Sequence, residues 1–560
     1  MSRPTRTPAA PLVRRLPLIG ALRLGRPSDI WFKPALSVVA SVAPPNLALV
    51  ALGRLDLAMY TMAGSLCALY AHQRPYAARA RTLARVVAGM VGGLAVALVA
   101  ASLTTNAAVL VAVGALLAAA HKALCDATRL GPPGNVVLTF ISSAALFVPQ
   151  SLGQVPGHLL LALATGGWAW LVGMAPGLLR PHGPERRATA HALNTAAAHA
   201  DTHPTGADHA RTRAAAAAAV QAAWQTLLST GTRSARTRRA LERLVVRAEV
   251  ALAAPADTDP ALLRRWAREL VGTGPVPDVA DLPESAAELL GVDAELARPA
   301  SPLRARLGAV APIAVRTLLG CALAGYVSLA LGVGRPYWAL VTAASLYQAN
   351  VTLTWNRGVQ RVVGNLLGVL VFAVIAPVAH LHALLLVLFC VALNFGAEAL
   401  VGRNYWLGSV CVTPMALLIT EFAHVQDPGE LITERVLDTF VGALVGILAA
   451  IAVTNRRAGD RIGHALTAAD RAREATARLL AEPAPSPAAL AAAHRALATA
   501  LADLRATADA ASGEWWQRAL PHERVVLAEQ SGHRTLAATV RRQGLCSPAA
   551  GATRTEGVRP

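Results

Sequence analysis

Two stretches of this 560-residue chain repeat a spacing that could do chemistry. Arg357, Arg361, Asn365 and Gly368 follow one another at steps of four, four and three, and so do Arg81, Arg85, Gly89 and Gly92. On a helix such steps share one face. Each set therefore aligns two guanidinium groups with positions where another helix can come close. A guanidinium is a planar fork that holds a carboxylate through two parallel hydrogen bonds. The functional reading is a basic mouth that gathers anions. The structural alternative is positive-charge anchoring of a helix end with ordinary small-residue packing.

Other residues extend the candidate set. Arg335-Pro336-Tyr337-Trp338 opens a short apolar segment that closes on Gln348 and Asn350. Short segments at matching places in two halves point to a substrate site in transporters, whereas Tyr337 and Trp338 could also be interface-belt aromatics. Asp438 lies inside an apolar run, one turn after Glu434 and three residues after Arg435, and Glu398 lies close to Arg403. An ionisable residue within a membrane span is a functional candidate by default, so Asp438 and Glu398 are candidate proton-coupling groups. Structural ion pairs with Arg435 and Arg403 are the alternative. His182, His191, His199, His203 and His209, with Asp201 and Asp208, match no zinc spacing and read as a solvated linker. No metal and no cofactor is expected. The chain has no GxxxxGK[ST], HExxH, GxSxG or glycine-rich dinucleotide loop, which disfavours an ATP-driven pump or a hydrolase. It is read as a non-enzyme.

The elements that must position these residues are membrane helices. The chain is 54% hydrophobic, only 15% charged and 4% aromatic, with a mean hydropathy of +0.44. Apolar stretches recur at the ~17–25 residues that span a bilayer. Six fall within 35–179 and six within 308–454, and the second of each set is short. The predicted fold is an all-α polytopic membrane protein of about twelve transmembrane helices in two six-helix repeats. Residues 1–34 form a basic cytoplasmic tail rather than a removed signal peptide. Residues 180–307 and 455–560 form helical cytoplasmic domains after each block. Six crossings return the chain to its starting side, so the repeats would run parallel.

The net charge of +19 fits this topology without a nucleic-acid partner. With the N-terminus inside, the inner loops hold Arg74, Arg79, Arg81, Lys122, Arg129, Arg180, Arg357, Arg361 and Arg403, while the outer loops hold only Arg54, Arg335 and Arg435 as basic residues. That asymmetry follows the positive-inside rule and places both termini in the cytoplasm of a multi-pass cell-membrane protein surrounded by lipid. The six cysteines form no CxxC pair and read as small core residues.

The second block resembles the fusaric acid resistance protein-like family, whose relatives include bacterial aromatic acid exporters. The resemblance rests on Arg335-Pro-Tyr-Trp338, Thr342, Ser345 and Gln348, then Arg357 to Gly368, Tyr405-Trp406 and Val412-Thr-Pro414. It ends in Arg435, Asp438, Thr439, Gly442 and Gly446. The family commonly has Gly-Thr where this chain has Gly364-Asn365, and the first block lacks the Pro-Tyr-Trp and Thr-Pro elements. The resemblance implies a homo-oligomeric secondary transporter that exports organic anions, such as aromatic carboxylic acids, driven by the proton gradient. Arg357, Arg361, Asn365, Tyr337, Trp338, Gln348 and Asn350, with Arg81 and Arg85, would then contact the substrate. The rival readings are a passive anion channel of the malate type and an envelope-assembly scaffold.

Overall fold

The structure, a computed structural model, describes residues 18, 20–25, 31–202, 207–229, 236–272, 274–277, 289–296, 302–348, 350–422, 426–452, 458–512 and 521–544. Every regular element among them is helical. The first block holds α1 (Phe32–Ala51), α2 (Ala58–Ser65), α3 (Tyr76–Leu103), α4 (Ala107–Ala127), α5 (Val136–Ala145), α6 (Val155–Met174) and a one-turn extension, α7 (Pro176–Leu179). A polar domain follows, with α8 (Gly183–Ala200), α9 (Ala207–Leu228), α10 (Arg236–Ala253), α11 (Pro260–Val271) and α12 (Leu290–Leu296). The second block holds α13 (Leu303–Ala330), α14 (Tyr337–Leu346), α15 (Val351–Ala379), α16 (Ala383–Val401), α17 (Tyr405–Thr420) and α18 (Pro428–Ala452). A second polar domain holds α19 (Ala458–Ala481), α20 (Pro487–Ser512) and α21 (His522–Arg542).

Among the described residues, eight helices are long and apolar enough to cross a membrane, and four apolar helices are shorter. The second helix of each block is short, as its sequence reads, and the fifth falls below a full span as well. The short helices stand at the second and fifth place of each block, so both blocks read long, short, long, long, short, long. Local chemistry sets the short lengths. Pro336 stands at the N-cap of α14, and Tyr347 adopts an extended conformation at its C-cap, leaving a helix of 10 residues. Ten residues rise about 15 Å, half of a ~30 Å hydrocarbon core. On α17, Asn404 caps the first turn by accepting from the Trp406 amide at 3.3 Å.

The first helix of each block packs against the fourth helix of the other: α1 on α16, and α13 on α4. Within each block the short second helix packs on the sixth, α2 on α6 and α14 on α18. The outward faces of the long helices remain apolar. Leu319, Leu323, Leu370, Val374, Leu444 and Leu448 are all exposed, as lipid-facing side chains would be. The five cysteines among the described residues are free, four of them buried and Cys411 half-buried.

Contacts fix which helix ends share a face. Arg81 at the start of α3 donates to the Ser229 carbonyl after α9 at 3.3 Å. Asn350 at the start of α15 donates to the Ala510 carbonyl of α20 at 3.0 Å. Asn404, before α17, donates to the carbonyls of Ala21 and Arg23, ahead of α1. The starts of α3, α15 and α17 therefore lie on the face that carries the polar domains. At the far face Arg335 pairs with Glu434, and His380 lies 3.0 Å from Glu421.

The two polar domains are joined through a buried ion cluster. Arg495 of α20 donates to Glu249 of α10 at 2.8 Å and to Glu295 of α12 at 2.6 Å, and its guanidinium lies 4.5 Å over the Trp224 ring of α9. The histidine segment is not a solvated linker. His199 is buried on α8, its ring 4.6 Å from that of His209, and burial together with the charge of His209 and Arg213 lowers its pKa to about 4. His203 lies outside the described residues.

Candidate functional site

The residues that could handle an anion converge in the second block, where α15, α17, α18 and α14 meet. Helix α15 begins at Asn350, whose side-chain oxygen accepts from the Leu353 amide at 2.8 Å. Two turns on, the Arg357 guanidinium lies 3.4 Å over the Tyr405 ring. One turn further, Arg361 Nη1 donates to the Tyr405 hydroxyl at 3.1 Å. Another turn brings Asn365, whose Nδ2 donates to Thr439 Oγ1 at 3.0 Å and whose Oδ1 accepts from Thr413 Oγ1 at 2.6 Å. The sequence spacing thus does produce one helix face, and that face looks onto α17 and α18.

Glycines let these helices close on one another. A Cβ added at Gly364 would come within 2.6 Å of the Trp406 carbonyl, and one at Gly368 within 2.7 Å of Thr413 Cβ. A Cβ at Gly442 would reach 2.5 Å from the Ala339 carbonyl of α14. Only a residue without a side chain permits such approach.

Arg435 is almost fully buried, 1% exposed. Its guanidinium lies 4.1 Å over the Trp338 ring. Its Nε and Nη1 have no hydrogen-bond partner, and it forms no ion pair among the described residues. Arg361 Nε and Arg357 Nε are likewise buried without partners. Glu434 does not pair with Arg435, since it is taken by Arg335 at the helix mouth. Asp438, fully buried, accepts from Ser328 Oγ of α13 at 2.5 Å through Oδ1, while Oδ2 has no partner. The ion pair expected between Arg435 and its acidic neighbours is therefore replaced by two unsatisfied groups of opposite sign. A buried unpaired charge is costly, and a guanidinium keeps its charge at all ordinary pH.

Tyr337 and Trp338 are buried between the blocks rather than placed in an interface belt. Phe147 and Phe140 of the first block stack on them at 5.6 and 5.5 Å. Other candidates lie apart. Gln348 donates its backbone amide to Thr354 Oγ1 at the start of α15. Arg81 and Arg85 are exposed on α3. With Arg81 aligned on Arg357, the first block has Gly89 for Asn365, Leu159 for Arg435 and Ala162 for Asp438, so it carries no matching charges. Glu398 is half-buried near the end of α16 and makes no ion pair with Arg403. It stands apart from Asp438.

Sequence reasoning did not place Tyr405, Arg435, Ser328, Thr413 and Thr439 in the site. Arg435, Asp438 and Thr439 share a helix face by spacing, a signal obscured because the adjacent Glu434 offered Arg435 a partner. Single Ser, Thr or Tyr residues in apolar runs carry no spacing signal.

A helical bundle with apolar outer faces and a buried basic core defines a polytopic membrane protein. Residues 321–449 match the family model described as "Fusaric acid resistance protein-like", a range that takes in the site residues from Ser328 to Thr439. The chain is also similar to the "Uncharacterized membrane protein YvaC" of Bacillus subtilis (strain 168), 31% identical over 138 residues. That alignment covers 24% of this chain and 22% of the relative, so the chain spans under a quarter of the length of the relative it matches. No solved structure matches.

Proposed function

We propose that this protein is a secondary transporter of the cell membrane that exports small organic anions, aromatic carboxylates above all, as a homo-oligomer and at the expense of the proton gradient. One observation carries the reading: Arg361 and Arg435 are buried guanidinium groups with unpartnered N–H donors, walled by the Tyr405 and Trp338 rings. A carboxylate entering between them supplies the missing acceptors, and an aromatic ring on the same molecule finds π faces for stacking. The twelve apolar helices are read as twelve crossings, which keep both polar domains and both termini in the cytoplasm. The substrate then approaches from the α15 start, past Arg357. Asp438, with one oxygen unsatisfied, is the proposed proton-coupling group, with Glu398 as the second candidate on the cytoplasmic side.

The reading is tested by Arg361→Lys. Lysine keeps the positive charge that topology needs but loses the planar fork. In vesicles loaded with an aromatic acid, the Lys variant should insert at the parental level and transport about tenfold more slowly, the loss of one charge-assisted hydrogen bond of ~1.5 kcal/mol. Parental transport rates in the Lys variant would reduce Arg361 to an anchoring charge.

A further inference from the structure

A second basic site lies away from the membrane core, on the face that carries the polar domains. A cavity of about 890 Å³ opens between the start of α1, the end of α7, the start of α8 and the outer stripe of α10. This is the size of a small-molecule site. Its wall includes Lys33, Arg180, Arg187, Arg236, Arg239 and Arg243, with Arg186 also lining it, and no Asp or Glu lines it. Arg236, Arg239 and Arg243 stand at steps of three and four on α10, one helix face turned toward the membrane block. Arg186 is committed to structure, donating to the carbonyls of Leu270, Gly274 and Glu269. The side chains of Arg180, Arg236 and Arg239 take part in no ion pair or hydrogen bond among the described residues. Glu185 is buried beneath the wall, 3.9 Å from His182 Nδ1, and is not part of the lining.

Positive-charge anchoring explains basic residues beside a span, but it does not explain a walled cavity with cations on facing elements. Seven basic side chains around one volume, six of them guanidinium groups, repel one another, and that repulsion is relieved by a ligand with more than one negative charge. Arginine forks suit phosphate oxygens. Phe32 and Leu179 are among the apolar lining residues, and Leu178 and Leu179 stand almost fully exposed at the cavity, an apolar rim where acyl chains would lie.

We infer that this cavity binds a phosphate-bearing anion carrying at least two negative charges. An anionic phospholipid headgroup or a free polyphosphate offers that chemistry, and the apolar rim favours the headgroup. The test is titration calorimetry on the full-length protein, purified free of anionic lipid, with short-chain diphosphatidylglycerol, short-chain phosphatidylcholine and inorganic pyrophosphate as separate probes. The expected result is saturable binding of diphosphatidylglycerol, none of phosphatidylcholine, and at least tenfold weaker binding in the Arg180→Gln/Arg239→Gln double variant. These two side chains hold nothing else together, so the variant should unfold thermally like the parent, and Arg180→Lys/Arg239→Lys should recover most of the affinity. Binding of pyrophosphate with the same Arg dependence supports the site and identifies a soluble phosphate as a sufficient ligand. Failure of both anionic probes, or equal affinity in the parent and the Gln variant, overturns the inference.

Discussion

Replacing Arg435 with Gln should cut carboxylate transport at least a hundredfold without lowering the amount of folded protein. The two effects separate because of how Arg435 is held. Truncating one partner of a buried ion pair leaves an orphan charge and destabilises by ~3–5 kcal/mol. Arg435 has no such partner, and its main contact is the Trp338 ring, worth ~0.5–2 kcal/mol. Removing an uncompensated buried cation offsets much of that loss. A bound carboxylate, in contrast, loses two charge-assisted hydrogen bonds at ~1.5–3 kcal/mol each, and each ~1.4 kcal/mol is tenfold. Transport measured in vesicles with the protein level checked by immunoblot distinguishes the cases. A variant that disappears from the membrane would make Arg435 a structural residue, and one that transports normally would remove it from the site.

Asp438→Asn should abolish the response of transport to an imposed pH gradient while the protein still inserts. Asn keeps an oxygen for Ser328 Oγ, which now bonds Asp438 Oδ1 at 2.5 Å. Its NH2 stands where the unsatisfied Oδ2 lies, so it mimics the protonated acid and cannot release a proton. Flux should be followed in proteoliposomes with and without a pH step across the membrane. A stable Asn variant that keeps the parental response would exclude Asp438 from coupling and leave Glu398 to be tried in the same way.

Much of the architecture is legible in the sequence because bilayer thickness imposes length and composition on every span. The twelve apolar stretches appear as helices, and the face shared by Arg357, Arg361 and Asn365 follows directly from their spacing. The length of a helix is less legible where one residue stops it. The segment of α14 reads as short, but its end does not show: Tyr347 stops the helix by turning extended, and nothing in an apolar run ending Ser-Leu-Tyr announces that. Ion pairing is harder still. Glu434, Arg435 and Asp438 are neighbours in sequence, yet the short loop before α14 brings Arg335 to Glu434 and leaves Arg435 facing Trp338. Partners far apart in the chain decide between an anchored charge and an available one. The first block has no counterpart of Arg435 or Asp438 and exposes Arg81 and Arg85, so the same Arg-x3-Arg spacing stands in two different surroundings.

Recognition of a carboxylate by the buried Arg361 and Arg435 guanidinium groups, with their unpartnered N–H donors, is the step on which the proposed transport depends. It is tested most directly with purified protein in proteoliposomes, by comparing flux of an aromatic carboxylic acid with that of its uncharged amide, which has the same ring and nearly the same shape. Saturable, protein-dependent flux of the acid, with none of the amide and none of the acid through the Arg435→Gln protein, is the expected result. Equal flux of acid and amide, or acid flux that survives loss of Arg435, would contradict it.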